Sequence, residues 1–279
     1  HIAQTGQIVA VDFREGNVPP AQDNLAFIRQ CQQSLPEGCT VNALRIDAAG
    51  YQAKILQYCD DEGIQYAIRA KTSAALRAQI NVIADSDWQA LLDKQGNVIE
   101  GQDTCRTSHC IGDYEKPFTL ILQRKAIHGQ ATLDLDLKDG SDGISLDGYI
   151  YRAIATNRDE LSDSKVVHWY NQRAEDSENR IKELKLDFGG DTLPCSDFNA
   201  NALYVLITAL SFNLFALMRQ LLPKKLAHHR AMTLRRRLYS MAAKVVKTGR
   251  QLYVKLKEKH RTLLEQVLLA LKEFEPPPI

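Results

Sequence analysis

Several marks of a secreted or repetitive protein are missing from this sequence. No basic n-region followed by an apolar core stands near its start, HIAQTGQIVAVDF, so no signal peptide is expected. Its six cysteines (Cys31, Cys39, Cys59, Cys105, Cys110 and Cys195) are few for 279 residues and irregularly spaced. That speaks against a disulfide framework and for reduced thiols in a cytoplasmic protein. The run Cys105-Arg-Thr-Ser-His109-Cys110 offers zinc-ligand chemistry, but no second pair of ligands has convincing spacing. There is no internal repeat and no low-complexity tract. Net charge is nearly absent too, at +1, yet residues 1–218 hold 20 Lys/Arg against 30 Asp/Glu while residues 219–279 hold 15 against 4. An acidic body joined to a basic tail suggests a polyanion partner for the tail. A solvated helical face would carry the same charges.

What is present is the composition of a globular protein, 44% apolar and 25% charged, with ample material for one large domain or two smaller ones. The spacing predicts a strand over Gln7–Phe13, a turn at Arg14–Asn17 and Pro19-Pro20, and a helix over Asn24–Leu35. A strand over Val41–Asp47, a helix over Gln52–Asp61 and a strand over Gln65–Ala70 follow. Strands alternating with helices argue for an α/β fold. From Asp87 to Asn157 the pattern turns β-rich, with strands expected over Phe118–Ile127, Ala131–Leu137 and Gly148–Thr156. Asn201–Leu222 reads as a long apolar helix; its length approaches that of a membrane span, but Thr208, Ser211 and Asn213 favour a buried core helix. The tail reads as a helix as far as Val246, then a strand through Leu252, Val254 and Leu256, then a helix from Arg261 to Phe274 that Pro276–Pro278 stop.

The stretch Trp169–Lys185, WYNQRAEDSENRIKELK, reads as one helix. At about 100° per residue, with Tyr170 at zero, Arg173 falls near −60°, Lys185 near +60° and Glu178 near +80°. One side thus presents a phenol, a guanidinium, a carboxylate and an ammonium. A carboxylate holds a divalent cation, and flanking Arg and Lys hold phosphate. Asp47 ends an apolar strand before the small residues Ala48-Ala49-Gly50, so it projects from the carboxyl end of a sheet or caps the next helical turn.

These residues carry a resemblance to bacterial insertion-sequence DDE transposases, whose signature is Y-(2)-R-(3)-E-(6)-K. Tyr170 and Arg173 match its first part and Glu178 with Lys185 its second, with one extra residue between Arg173 and Glu178. Of the nearby acids, Glu178 aligns best with Lys185. The context RIDAAGY around Asp47 resembles the family's second-Asp motif. The resemblance implies an RNase H-like mixed sheet flanked by helices. It divides the chain into a partial catalytic core (1–86), a β-rich insertion (87–157), the Glu-bearing and buried helices (158–222) and a basic C-terminal region (223–279).

The resemblance further implies Asp47 and Glu178 as catalytic metal ligands for Mg2+, with Mn2+ as a substitute. It implies phosphate contacts from Arg173 and Lys185, and base stacking or a phosphate bond from Tyr170. Arg235, Arg236, Arg237, Lys244, Lys247 and Arg250 would bind DNA without sequence preference. Partners would be double-stranded transposon ends and target DNA, with a homodimer in a synaptic complex, in a bacterial cytoplasm and nucleoid, without membrane. The family's first Asp lies upstream of the segment TGQIVAVDFREGN, and Asp12 does not replace it. The chain is therefore expected to be an N-terminally truncated transposase with little strand cleavage of its own. Two other readings fit parts of the sequence: an inactive DNA-binding remnant, and a membrane-associated protein anchored by residues 202–218.

Overall fold

A computed structural model describes residues 1–112, 114–127, 143–173 and 177–273. The strand expected over Ala131–Leu137 and the proline stop at 276–278 lie outside the described residues. The chain divides into two compact units, Arg14–Glu175 on one hand and His1–Phe13 with Asp176–Ile279 on the other.

The first unit holds α1 (Asn24–Gln33), β1 (Ala43–Ile46), α2 (Ala53–Asp61), β2 (Gln65–Arg69), α3 (Ala74–Asn81), β3 (Gln89–Leu92), β4 (Val98–Ile111), β5 (Tyr114–Ala126), β6 (Ile144–Leu146), β7 (Tyr149–Thr156) and α4 (Asp163–Arg173). Its seven-stranded sheet runs β1-β2-β7-β5-β4-β3, with β6 paired on β7. β1 and β2 are parallel and the remaining pairs antiparallel. This is the mixed sheet flanked by helices that the sequence leads one to expect. Segment 87–157 supplies five of the seven strands, β3 to β7. β7 pairs directly with β2, so the β-rich segment continues the α/β sheet instead of standing apart from it. The backbone edge that β2 leaves open must be paired, and β7 closes it.

Alternation along the strands gives the sheet two buried faces. Tyr66, Ile68, Leu120, Leu122, Ala153 and Ala155 meet Ile55 and Leu56 of α2 and Leu76 of α3 on one side. Ala67, Ile121 and Ile154 meet Val166, Val167 and Tyr170 of α4 on the other.

The second unit holds α5 (Asn179–Phe188), α6 (Phe198–Leu221), α7 (Lys224–Ala227), α8 (Ala231–Leu238), the hairpin β8 (Ala243–Thr248) and β9 (Gln251–Leu256), and α9 (Glu258–Lys272). Four sequence expectations change here. Gln7–Phe13 forms no regular strand. Its backbone is served by a side chain of α6, since Asn213 Oδ1 accepts from Ile8 N at 2.7 Å and Asn213 Nδ2 donates to Ile8 O at 2.8 Å.

The helix containing Asn201–Leu222 begins earlier, capped by Asp197, whose carboxylate accepts from Ala200 N at 2.7 Å. It is buried on one side only: Asn201, Thr208, Phe212 and Phe215 are covered, whereas Leu203, Ile207, Leu210 and Leu214 are exposed. By length and composition alone α6 could cross a membrane. The tail helix ends at Leu238, because Val245-Val246 and the Thr248–Gln251 turn favour a hairpin. Finally, the single helix expected over Trp169–Lys185 is described as Asp163–Arg173 (α4) and Asn179–Phe188 (α5), with a π turn at Ser177–Glu178 leading into α5; residues 174–176 lie outside the described residues.

Asp60 at the end of α2 fastens the first unit. Its carboxylate accepts from Tyr114 Oη, from Lys116 Nζ at 2.9 Å and from Asn157 Nδ2 at 3.1 Å. Asn157 in turn accepts from Tyr66 N and donates to Ile64 O. Burial alone pushes the Asp60 carboxyl up, but those three donors outweigh it and hold the group below its usual 3.8. A carboxyl depressed by folding contributes stability that is complete above the unfolded value and lost as pH falls through the folded one. Asp60→Asn is expected to lower unfolding free energy at pH 7 by about 1–3 kcal/mol. It should also flatten the acid limb of a urea-unfolding series below pH 4; an unchanged limb would contradict this assignment.

Candidate functional site

β1 ends at Ile46, and Asp47 follows at the carboxyl end of the only parallel pair among the described strands. Asp47 caps a single 3-10 turn, Ala48–Gly50, by accepting from Ala49 N at 3.0 Å. The small residues after it are needed: a Cβ on Gly50 would stand 2.4 Å from the Ile46 side chain. Residues two apart on a strand share a face, so Asp47 lies on the same side as Arg45, the side that α4 covers. There Arg45 Nη1 donates to Trp169 O at 2.7 Å, and its guanidinium stacks on the Trp169 ring, which Arg158 also contacts at 4.3 Å.

One turn further along α4, Arg173 Nη2 lies 3.2 Å from Asp47 Oδ2. Asp47 keeps 56% of its side-chain surface exposed while Arg173 keeps 21%, so the carboxylate remains open to a ligand while the guanidinium is held. Register brings a second cation near: Ile46 stands opposite Ile68, which places Arg69 beside Asp47 at the next position.

Tyr170 is buried, 8% exposed, among Ala67, Ile121, Ile154 and Val167. The ring expected to meet a base or phosphate is therefore core packing that seats α4 on the sheet. Burial holds its hydroxyl above the usual 10.0, while Arg173, Arg69 and Arg152 pull the other way and Asp47 adds to the rise. Arg69 stands opposite Ile154, and Arg152 lies two residues along β7, so both arginines belong to the sheet face that α4 covers. Arg69 and Arg152 were missed in the sequence. Their signal was the register of β2 and β7, which only the strand pairing reveals.

In the second unit, α5 separates its charges by face. Glu183 is 4% exposed, bound to Arg219 and accepting from Ala231 N at 2.6 Å. Asp187 is bound to Arg230 at 2.6 Å and accepts from Met232 N at 3.1 Å. These two carboxylates satisfy the first amides of α8, whose N-cap residue Arg230 offers no side-chain bond of its own. Glu178, Lys182 and Lys185 are exposed. Seven residues of α-helix turn through about 700°, so Glu178 and Lys185 share a side, with Glu183 roughly 140° and Asp187 roughly 180° from Glu178. The buried acids build the unit; the exposed one is available for chemistry.

Of the basic triplet, Arg235 turns inward, donating to Asp187 O and stacking on Phe188 at 4.6 Å. It serves the packing of α5 against α8, and Arg236 and Arg237 are the members exposed to solvent. Lys244, Lys247 and Arg250 are exposed on the hairpin. Asp12 is exposed and belongs to the irregular N-terminal stretch. Cys105 is buried on β4, Cys110 is exposed, and His109 Nδ1 lies 2.8 Å from Gln79 Oε1.

A mixed sheet with an aspartate at the carboxyl end of a parallel strand, covered by helices on both faces, is the architecture of RNase H-like DDE proteins. The chain belongs to one such family: the model for transposase DDE domain group 1 matches residues 2–276. No curated protein matches the chain significantly. DDE transposases generally act with divalent metal. Among the described residues, however, no three His, Cys, Asp or Glu side chains are grouped to hold an ion. Asp47 Oδ1 and Oδ2 are already engaged by Ala49 N and Arg173. Each of these oxygens keeps a lone pair, so Asp47 offers part of a metal's donor set and not the whole of it.

The two kinds of acid should separate in stability measurements. Asp47→Asn is expected to change the free energy of urea unfolding by less than about 1 kcal/mol, as for an exposed ion pair. Asp187→Asn should cost about 3–5 kcal/mol, because it leaves buried partners uncompensated. Equal effects would contradict the division into open and structural carboxylates.

Proposed function

We propose that this chain works on DNA as an insertion-sequence transposase does, binding duplex transposon ends and target for metal-dependent phosphoryl transfer. The observation that carries the reading is Arg173 against Asp47 at the end of β1, with Arg69 beside Asp47 by register and Arg152 on the same sheet face. An exposed site where guanidiniums stand beside a carboxylate suits a phosphodiester better than a neutral substrate. Asp47 and Glu178 are the carboxylates we assign to magnesium, with manganese as a substitute. Arg173 and Lys185 are assigned to the phosphates beside the scissile bond, following the Tyr170, Arg173, Glu178, Lys185 pattern. Tyr170 acts here as a positioning residue that sets the pitch of α4.

Arg236, Arg237, Lys244, Lys247 and Arg250 add contacts to the backbone, and Arg235 fixes the helix from which its neighbours project. Work on DNA in pairs of ends fits a homodimer in the bacterial cytoplasm. The chain's residues bind and orient the phosphodiester. When bound, the metal would supply activation of the attacking oxygen and stabilisation of the leaving one. Two assigned carboxylates fall short of the three that this chemistry employs, so the polypeptide alone should bind without cutting.

Affinity for a labelled duplex is expected to fall steeply between about 50 and 200 mM salt. Arg173→Ala and Lys185→Ala should each weaken binding and reduce the log–log salt slope by about 1. Nicking of an end sequence in Mg2+ should stay at background. Salt-independent binding would defeat the DNA reading; robust nicking would defeat the two-carboxylate assignment.

A further inference from the structure

We infer that the β8–β9 hairpin is a two-stranded ribbon that enters the major groove of duplex DNA with its Lys244–Lys255 face. This rests on the DNA reading above and adds a specific element to it.

The ribbon is exposed along both strands, with only Val246 and Leu256 partly covered. An isolated two-stranded hairpin is marginal in water without a partner. Its register pairs Lys244 with Lys255, Val246 with Tyr253 and Thr248 with Gln251. Directly opposed residues share a face, so this side carries two lysines, a tyrosine and a glutamine. Tyr253 Oη donates to Gln251 Oε1, which fixes the amide near the tip and leaves its nitrogen to donate.

Two local features oppose folding and share one remedy. Like charges directly across a ladder, with Cβ atoms about 4.5–5.5 Å apart, repel each other. At the turn, Gly249 and Arg250 both have positive φ, 56° and 65°, as a type I′ connection requires. Glycine or asparagine takes that second position without strain, whereas arginine does not. A polyanion that accepts all three side chains relieves the repulsion between the lysines and offsets the backbone cost of holding an arginine at the tip. The surroundings agree: residues 219–257 contain twelve Lys/Arg and no Asp/Glu.

Size selects the groove. Strands about 4.8 Å apart, with their side chains, fit a groove about 12 Å wide and exceed one about 6 Å wide. The amide of Gln251 and the guanidinium of Arg250 would then reach base-edge acceptors, with the lysines on the flanking phosphates.

The test uses the full chain and a labelled 30-bp duplex of arbitrary sequence, read by fluorescence anisotropy across a salt series, together with dimethyl sulfate footprinting of guanine N7. The wild type is expected to protect N7. Lys244→Gln with Lys255→Gln should weaken binding about tenfold or more and reduce the salt slope by about 2. Arg250→Gly should weaken binding several-fold and remove protection while the melting temperature holds or rises, a pairing that a purely structural role does not produce. If these variants bind and protect as wild type while Arg173→Ala still weakens binding, the ribbon inference falls and the DNA reading stands. If the wild type binds no duplex, both fall. Unchanged duplex binding with lost association to phosphatidylserine vesicles would assign the ribbon to a membrane and overturn the inference.

Discussion

The period-two alternation of β1, β2 and β7 is the constraint on which the first unit depends. It sends Ile46, Ile68 and Ala155 to one side of the sheet and Arg45, Ala67 and Ile154 to the other. Once α4 covers the second side with Val166, Val167 and Tyr170, the positions of Asp47 and Arg173 follow. The same burial that stabilises the sheet therefore aims the guanidinium at the carboxylate. A one-residue slip of β1 would reverse both outcomes together.

The second unit uses acid differently. The start of α8 presents amides that its N-cap residue Arg230 does not satisfy, beside the charges of Arg230 and Arg235. Glu183 and Asp187 answer both problems: each accepts from a backbone amide and neutralises an arginine. Two carboxylates of α5 thereby account for the placement of Arg219 and Arg230, while Arg235 is held by the backbone carbonyl of Asp187.

Much of this was legible in the sequence, and the exceptions have physical causes. The α/β order, the strand ending at Asp47 and the long apolar helix follow from periodicity, which is local. Strand pairing is not local, so nothing in the residues alone joined β7 to β2 or placed Arg69 and Arg152 near Tyr170. Counting angles along Trp169–Lys185 presumes a uniform α-helical pitch, from which the π turn at Ser177–Glu178 departs. Glu183 and Glu178 look alike in sequence; the Ala231 amide and the Arg219 guanidinium distinguish the acid that is spent from the acid that is exposed. Arg235 was read with its neighbours as one basic run, although the rings of Phe188 and Phe215 claim it.

The seven-residue span from Glu178 to Lys185 has a consequence for the surface of α5. Two helical turns bring the chain back to the same side, so an acid and a base stand in one row on solvent-facing helix while Glu183 and Asp187 turn to the opposite side. One residue inserted within that span would swing the lysine about 100° out of the row, whereas a change of length ahead of Glu178 would leave the row intact.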